Sequence, residues 1–518
     1  MGLTPDGLQQ IRWLARADMI QPSEPEARLL RGFLSYGHFT GRGTTAGKYK
    51  PYEPCFLMGK DPTMYPKKYY FSGIGGSGMS ALAQILRARG HRVSGSDRTH
   101  DRGGNRSVFK KLAKQGIVLL PQKGASVSAD VDFLVVSSAI EPSSPERSQA
   151  HHYTIPVIHR SQLLADLFNP AEGIGIAGTS GKSTVCGMVA SILDADRRQA
   201  TVINGGNINQ YISATMLGNA RPGEGRECLA ELDESDGSIS RFFPAAGLIT
   251  NISKDHKPLS ELRELFQRFI EQTRGPVVLN ADCPESARLS APGALTFGID
   301  HAADYRGVEI RPAAQGMCFT VDGALYAIRQ PGRHNVANAL AAIALCAGLG
   351  VPVKARQLGL QRFKGIQRRL SCVGMVDSIT VWDDFAHNPD KLRASLRAIR
   401  PLSKRMLIVF QPHGFGPTRF MLDELARAFS EEMRTRDILA GLPIFDAGGT
   451  ADRSISTADL LHRVSGPRCL TAVDRAAAVH GIISHARSGD AIAVMGARDD
   501  SLSAFARSIV RALRRRAK

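Results

Sequence analysis

The sequence predicts an α/β protein built from several nucleotide-fold units. Three observations carry that prediction. Residues 69–89 and 173–193 each read as strand, glycine turn and helix, and elsewhere short apolar runs of strand length end in polar clusters. In sheets made of strand–helix–strand units, ligands bind beyond the carboxyl ends of the strands, so polar residues gathered there mark the expected chemistry. At 518 residues the chain has room for about three or four domains.

Residues 1–67 stand apart. The stretches Gly41–Lys48 and Pro51–Pro54 are loop-rich, only Gly7–Met19 has helical spacing, and composition assigns the segment no role. From Lys68 the pattern turns α/β. Tyr69–Ile74 is a strand, Gly75–Gly78 a turn, Met79–Arg89 a helix, and Arg92–Ser94 a second strand ending at Gly95-Ser96-Asp97. Gly73, Gly75 and Gly78 form a G-x-G-x-x-G fingerprint with an acid, Asp97, about twenty positions on, the βαβ setting in which the pattern signals a bound diphosphate. The strand Val131–Val136 delivers Ser137 and Ser138 to the same edge.

The second unit is organised around the stretch from Gly173 to Thr184. A buried strand leads into Gly178-Thr179-Ser180-Gly181-Lys182-Ser183-Thr184, and a helix follows. Gly178 and Gly181 let backbone N–H groups converge on an anion, Lys182 adds a point charge, and the Ser183 hydroxyl is suited to Mg²⁺. The loop is shorter than the standard phosphate loop, with two residues rather than four between Gly178 and Gly181. A glycine turn with an incidental lysine is the competing reading, but the flanking strand and helix favour an ATP or GTP site. Two later strands end in suitable partners: Cys228–Ala230 leads to Glu231 and Asp233-Glu234-Ser235-Asp236, and Gly247–Ile252 leads to Asp255-His256. A carboxylate facing Ser183 is the expected Mg²⁺ partner, whereas His256, taken alone, reads as a loop histidine before a metal ligand.

The stretch Gly332–Ile343 begins a helix with His334, Asn335 and Asn338 at its polar end, where helix capping is the plain alternative. A third α/β unit begins near Val376. Strand Ile379–Trp382 ends at Asp383-Asp384-Phe385-Ala386-His387, Met406–Phe410 ends at Gln411-Pro412-His413-Gly414, and Ala491–Met495 supplies another strand.

Composition narrows the class. The formal charge of +18 favours anionic partners. Part of it sits on a last helix rich in arginine, and no recognition-helix, zinc-finger or aromatic RNA-binding signature accompanies it, so nucleic acid is not the expected ligand. No apolar run approaches the roughly 20 residues needed to cross a bilayer, and the start lacks a signal peptide, so a cytoplasmic protein is expected. Eight cysteines occur without a CxxC pair, which argues for core residues rather than a zinc site or disulfide framework.

Taken in order, these motifs resemble the Mur ligases. The matching stretches are Gly73-Ile74-Gly75-Gly76-Ser77-Gly78-Met79-Ser80, Ser94-Gly95-Ser96-Asp97, Ser137-Ser138-Ala139-Ile140, Asn204-Gly205-Gly206, Asp233–Asp236 and Thr250-Asn251-Ile252 with Asp255-His256. They continue through Gly332–Ile343, Gly365 with Arg368-Arg369, Asp383–His387 and Phe410-Gln411-Pro412-His413, and the segment from Ile155 to Ala165 looks like the family's helix leading into the ATP loop. The resemblance covers residues 69 to about 510 and leaves residues 1–67 without a counterpart.

The resemblance implies three domains: a Rossmann-like UDP-substrate domain at 68–169, a central ATP-binding domain with a parallel-rich sheet at 170–366, and a Rossmann-like closing domain at 367–518. It further implies an ATP-dependent ligase that joins an amino acid, with L-alanine expected, to the carboxylate of UDP-N-acetylmuramate through an acyl phosphate. Gly73, Gly75, Gly76, Ser77, Gly78, Met79, Asp97, Ser137 and Ser138 would serve the UDP substrate. The loop Gly178–Thr184 would hold ATP, with Lys182 on the β/γ-phosphates and His334, Asn335, Asn338 and Asp384 as further contacts. Ser183 and Glu231 would bind one Mg²⁺ and His256 would help with a second, while Arg369, His387 and His413 would act near the reacting group. The chain departs from the alanine-adding members at Ser180, where they carry histidine, and at Gly414 and Pro417, where they usually carry arginines. Arg419 is then the nearest cation for an amino-acid carboxylate, and the identity of the amine stays open. A different amino acid, a preformed tripeptide as in cell-wall recycling, and a non-catalytic UDP-sugar binder are the alternatives.

Overall fold

The computed structural model describes residues 66–253, 257–313, 316–446 and 452–516. The helix expected at Gly7–Met19 and the loop histidine His256 lie outside the described residues.

Strands β1 (Lys68–Ser72), β2 (Arg92–Ser96), β3 (Val118–Leu119), β4 (Phe133–Val136) and β5 (Val157–His159) form an all-parallel sheet in the order β3-β2-β1-β4-β5. The order reverses between β1 and β4, which opens the crevice where open α/β sheets bind ligands. Helix α1 (Ser77–Ala88) follows the glycine turn after β1, and its Leu82, Ile85 and Leu86 are buried with Val93, Phe109 and Leu112. The stretch Ile155–Ala165, expected as a helix, is β5 followed by helix α2 (Arg160–Phe168). Pro156 holds Ile155 extended, and the Ser161 N–H donates to His159 Nδ1 at 3.3 Å to start the helix there.

The second sheet has eight strands: β6 (Glu172–Ala177), β7 (Thr201–Ile203), β8 (Ala220–Arg221), β9 (Glu227–Glu231), β10 (Ala246–Ile249), β11 (Val277–Asn280), β12 (Leu295–Gly298) and β13 (Tyr305–Arg306). Their order is β13-β12-β11-β10-β6-β9-β7-β8, antiparallel only between β7 and β8. Strand β6 lies centrally and is covered on both faces, which is why its sequence is a continuous run of small and branched apolar residues. Helix α3 (Lys182–Ala195) is buried from Ser183 to Leu193, packed between the sheet and helices α4 (Arg333–Gly348) and α5 (Val353–Arg362). Cys186 and Cys346 sit in this packing as small apolar residues, and Cys228 and Cys283 are buried in the neighbouring core.

Two hairpins escaped the sequence reading. Strands β14 (Val308–Pro312), β15 (Met317–Val321) and β16 (Ala324–Ile328) make a small antiparallel sheet whose Met317, Phe319 and Val321 alternate inward. Its Asp322-Gly323 turn has both φ angles positive, 48° and 75°, the signature of a two-residue hairpin. The third unit likewise begins earlier than Val376, with β17 (Ser371–Val376) paired antiparallel to β18 (Ile379–Asp384) across Asp377-Ser378.

The last sheet adds β19 (Met406–Phe410), β20 (Ile438–Gly441), β21 (Arg468–Thr471) and β22 (Ala491–Met495), in the order β17-β18-β22-β19-β20-β21. Strand β22 lies between β18 and β19, and Asp384, Met495 and Phe410 face one another across these three parallel strands. Helix α6 (Pro389–Ile399) follows β18. The final helix, α7 (Leu502–Arg516), buries Leu502, Phe505, Ile509, Val510 and Leu513 and leaves Arg507, Arg511, Arg514, Arg515 and Arg516 exposed, as the arginine-rich sequence implied.

Candidate active site

The phosphate loop is shaped by two glycines. Gly178 has φ 120°, and a Cβ there would stand 2.1 Å from Thr250 Oγ1; Gly181 has φ 85°, and a Cβ there would stand 2.6 Å from Asn338 Oδ1. Both conformations exclude side chains on energetic and steric grounds. The loop is then clamped by Thr250 and Asn251 at the end of β10. Thr250 Oγ1 donates to Ser180 O at 2.7 Å, Asn251 Nδ2 donates to the same carbonyl at 3.1 Å, and Asn251 Oδ1 accepts from Ser180 N at 3.0 Å and Thr179 Oγ1 at 2.7 Å. The first N–H groups of α3 have no acceptor within the helix, so they remain for an anion at its positive end. Thr250 and Asn251, which the sequence marks only as part of a motif, position the loop and also line the cavity beside it.

Lys182 Nζ donates to Gly178 O and to Glu234 Oε2, each at 2.6 Å, with both side chains largely buried. Burial pushes the Glu234 carboxyl upward against the pull of Lys182. Asp233 is also raised by burial, but hydrogen bonds from Ser235 and the charges of Lys182 and Arg160 bring it below its ordinary value. Arg160 Nη2 meets Asp233 at 3.1 Å. Glu231, the last residue of β9, accepts from Gly205 N at 2.7 Å. A Cβ on the adjacent Gly206 would stand 3.8 Å from Ser183 Oγ, so neighbouring glycines line the approach to the hydroxyl and the carboxylate.

Two cavities meet here. One, of about 590 Å³, is lined by Thr179–Thr184, Glu231, His334, Asn335, Asn338, Arg369, Asp384 and His387. The other, of about 730 Å³, is lined by Gly73, Gly75–Met79, Asp97, Ser137 and Ser138. Lys182, Ser183, Glu231, Asp233, Arg369 and Phe385 line both. In the second cavity Asp97 accepts from Gly75 N at 2.9 Å and caps the short helix behind it through Thr99 N, so this acid fixes the glycine turn as well as facing the cavity. Among the sequence-derived candidates that lie in the described residues, only Gly178, His413 and Arg419 do not line these two cavities, and Gly178 acts through the loop it bends.

One end of the first cavity contains His334, lowered to about 4 by burial and therefore neutral near pH 7. Asn335 donates to Pro331 O at 2.8 Å and accepts from Asn338 Nδ2 at 3.2 Å. Gly332 occupies the helix N-cap, and no side chain caps it, so these asparagines are not caps. At the other end Asp384 is buried, accepting from Leu370 N at 3.1 Å and from Ser395 Oγ, and burial raises its carboxyl. The Arg369 guanidinium stacks 4.8 Å from the Phe385 ring centre, and burial disfavours its charge.

His387 Nδ1 lies 2.7 Å from the Phe385 carbonyl, which only accepts, so the proton sits on Nδ1 and Nε2 keeps its lone pair. Burial lowers this imidazole to about 3, with Lys391 adding to the effect. The His413 ring packs edge-on against it at 4.7 Å, which brings His413 to the site behind His387. Arg419 is not brought to either cavity. It lies on the short helix Phe415–Phe420 outside both cavities, 2.9 Å from Asp452 and donating to Ser454 Oγ, so its charge is already matched.

Profiles of known families align along the chain in the same order: "Mur ligase family, catalytic domain" at residues 68–171, "Mur ligase middle domain" at 176–346, and "Mur ligase, glutamate ligase domain" at 368–498. The chain belongs to the Mur ligase family. Among Mur ligases, it is 34% identical over 454 residues to the UDP-N-acetylmuramate–L-alanine ligase of Geotalea uraniireducens, an alignment spanning 84% of this chain and 96% of that one. It is 36% identical over 420 residues to the enzyme of the same name from Gloeobacter violaceus, across 79% and 88% of the two chains. The crystal structure of the UDP-N-acetylmuramate-alanine ligase of Thermotoga maritima superposes with a TM-score of 0.71 at 26% identity, covering 87% of this chain and all of that one. The α/β architecture, three large sheets and one small antiparallel sheet, is thus the Mur ligase fold. Among the described residues no helix is long and apolar enough to cross a membrane.

Proposed function

We propose that this Mur ligase forms an amide between the carboxylate of UDP-N-acetylmuramate and the amine of L-alanine, driven by ATP. The observation that carries the reading is the shared rim: Lys182, Ser183, Glu231 and Arg369 line both the cavity of the phosphate loop and the cavity of the first glycine turn. A carboxylate resists attack by an amine, so it must first take the terminal phosphoryl group of ATP, with ADP leaving. The amine then adds to the acyl phosphate, and phosphate departs as the amide forms. Both steps need the two substrates held end to end and the developing charge matched by donors. Lys182 and the N–H groups opening α3 are arranged for the phosphates, and Arg369 for the charge that builds between the cavities. Relatives that carry the alanine-ligase name at 34–36% identity support L-alanine as the amine.

Among the described residues no three-sided cluster of His, Cys, Asp or Glu exists for a metal. A hydroxyl from Ser183 and a carboxylate from Glu231 nonetheless form the hard-oxygen pair that suits Mg²⁺, which takes its remaining ligands from phosphate and water. Those two residues would hold the ion, which when bound neutralises phosphate charge. The neutral Nε2 of His387 is able to accept a hydrogen bond from the attacking amine. The reading assigns the protein to the cytoplasm, where its nucleotide substrates are found. Purified protein with ATP, Mg²⁺ and UDP-N-acetylmuramate should release phosphate on addition of L-alanine. Release with another amino acid alone or with the preformed tripeptide alone would move the substrate, and silence with all of them would refute the ligase reading.

A further inference from the structure

The three parallel strands β18, β22 and β19 end level with one another, at Asp384, Met495 and Phe410. The residue three places beyond each end is His387, Arg498 and His413 in turn. The sheet therefore delivers two imidazoles and one guanidinium to a single rim. The imidazoles are in contact, with ring centres 4.7 Å apart. Arg498 comes over the turn at Gly414: its Nη1 stands 3.6 Å from the place a Cβ on Gly414 would occupy, and Gly414 has φ 147°. The base of Arg498 is fixed from below, because Arg368 donates to Gly496 O at 2.6 Å and to Ala497 O at 3.1 Å.

Arg498 is exposed and, among the described residues, carries no hydrogen bond or ion pair. The two acids that follow it are engaged elsewhere, Asp499 with Arg475 and Asp500 with Asn105 and Arg368. Arg498 lines neither cavity itself, but its open planar guanidinium fork lies over the turn that follows His413, whose ring touches His387 of the reaction cavity, and such a fork is complementary to a carboxylate. An α-amino acid carries its carboxylate on the carbon that bears the attacking amine, so a residue gripping the first positions the second.

We propose that Arg498 binds the α-carboxylate of the incoming amino acid, with Gly414 keeping the approach open and His387 facing the amine. The inference rests on the amide-ligase reading and deepens it. A peptide, whose first residue has its carboxyl in amide linkage, presents nothing to Arg498, so the site selects single amino acids. Phosphate release is measured for wild type, R498A and R498K with L-alanine and with L-alaninamide, at saturating ATP and UDP-N-acetylmuramate. In R498A the KM for L-alanine should rise about 10- to 100-fold, the loss of a charged hydrogen-bond pair. The KM values for ATP and UDP-N-acetylmuramate should stay as in wild type, the preference for alanine over alaninamide should collapse, and R498K should recover part of it. An ADP-induced thermal shift equal to wild type establishes that the variant is folded; should R498A lack it, R498K decides through the same ratio. An active wild type whose variants keep both the alanine KM and the preference overturns the proposal alone. A wild type inactive with every amino acid overturns the ligase reading, and the proposal with it.

Discussion

Replacing Glu234 by Gln tests how the phosphate loop is held before a nucleotide arrives. Lys182 is 2.6 Å from Glu234 Oε2, with side-chain exposures of 13% and 7%, so the pair is largely desolvated. When phosphate draws the lysine away, Glu234 is left as a buried carboxylate beside more negative charge. That loss includes at least one charge-assisted hydrogen bond, about 1.5–3 kcal/mol, and removing one partner of a fully buried pair costs about 3–5 kcal/mol. Gln keeps the shape and an acceptor but removes the charge, so the smaller figure applies. It corresponds to about 10- to 100-fold tighter binding of ADP in EDTA. The same substitution should lower the thermal midpoint of the ligand-free protein, since the ion pair is lost there. Calorimetric titration of ADP into wild type and E234Q, both without Mg²⁺, reads the first effect and a thermal melt reads the second. Unchanged or weaker ADP binding in E234Q would refute the idea that Glu234 restrains the lysine.

Gly178→Ala should abolish the ADP-induced thermal shift while leaving one induced by UDP-N-acetylmuramate. The left-handed backbone alone costs about 1–2 kcal/mol, and the new methyl would displace Thr250 Oγ1 from its bonds to Ser180 O and Ala177 O. Arg369→Lys should lower kcat/KM about 10- to 100-fold, because lysine keeps the charge but loses the planar stack on Phe385. Phe385→Leu should cost less in the R369K background than in wild type, and additive losses would argue against the stack. His387 and His334 are lowered to about 3 and about 4, below the ordinary 6.5 of the unfolded chain. Between pH 6.5 and those values the unfolded state binds more protons, so their contribution destabilises as pH falls. His387→Gln should remove about 1 kcal/mol of the stability lost between pH 7.5 and 5.5, after discounting for its partial exposure, as read from urea midpoints.

The fold was legible where the sequence carries long-range apolar runs with glycine punctuation. Strands Met406–Phe410 and Ala491–Met495 match the reading to the residue, because parallel strands buried on both faces are continuous apolar segments. The antiparallel hairpins were missed because their signal is different in kind. In β14–β16 one face stays open, so burial alternates along β15 even though Ala324–Ile328 is an apolar run, and the Asp322-Gly323 turn was the clearest short-range clue. Residues 155–165 were expected as one helix from the resemblance alone, while Pro156 and the cap at His159 decide the local outcome, a strand followed by a helix.

The site divides the same way. Residues that act through the backbone turn they sit on, such as Gly178 and Gly181, or at the end of a strand, such as Glu231 and Asp384, are announced by their neighbours in sequence. Residues that act through a distant partner are not. Glu234 stood in a recognised acidic run, yet nothing local says that it, rather than Glu231, takes the lysine 52 positions earlier. Arg419 was chosen as the nearest cation along the chain, and Asp452 had already matched it. Arg498 lies 84 residues beyond Gly414 in sequence, and only the pairing of β22 between β18 and β19 brings the two together. Register across a parallel sheet is thus what gathers His387, His413 and Arg498, each three residues past a strand end, into one rim. A charge sought for a substrate is better looked for across neighbouring strand ends than along the chain.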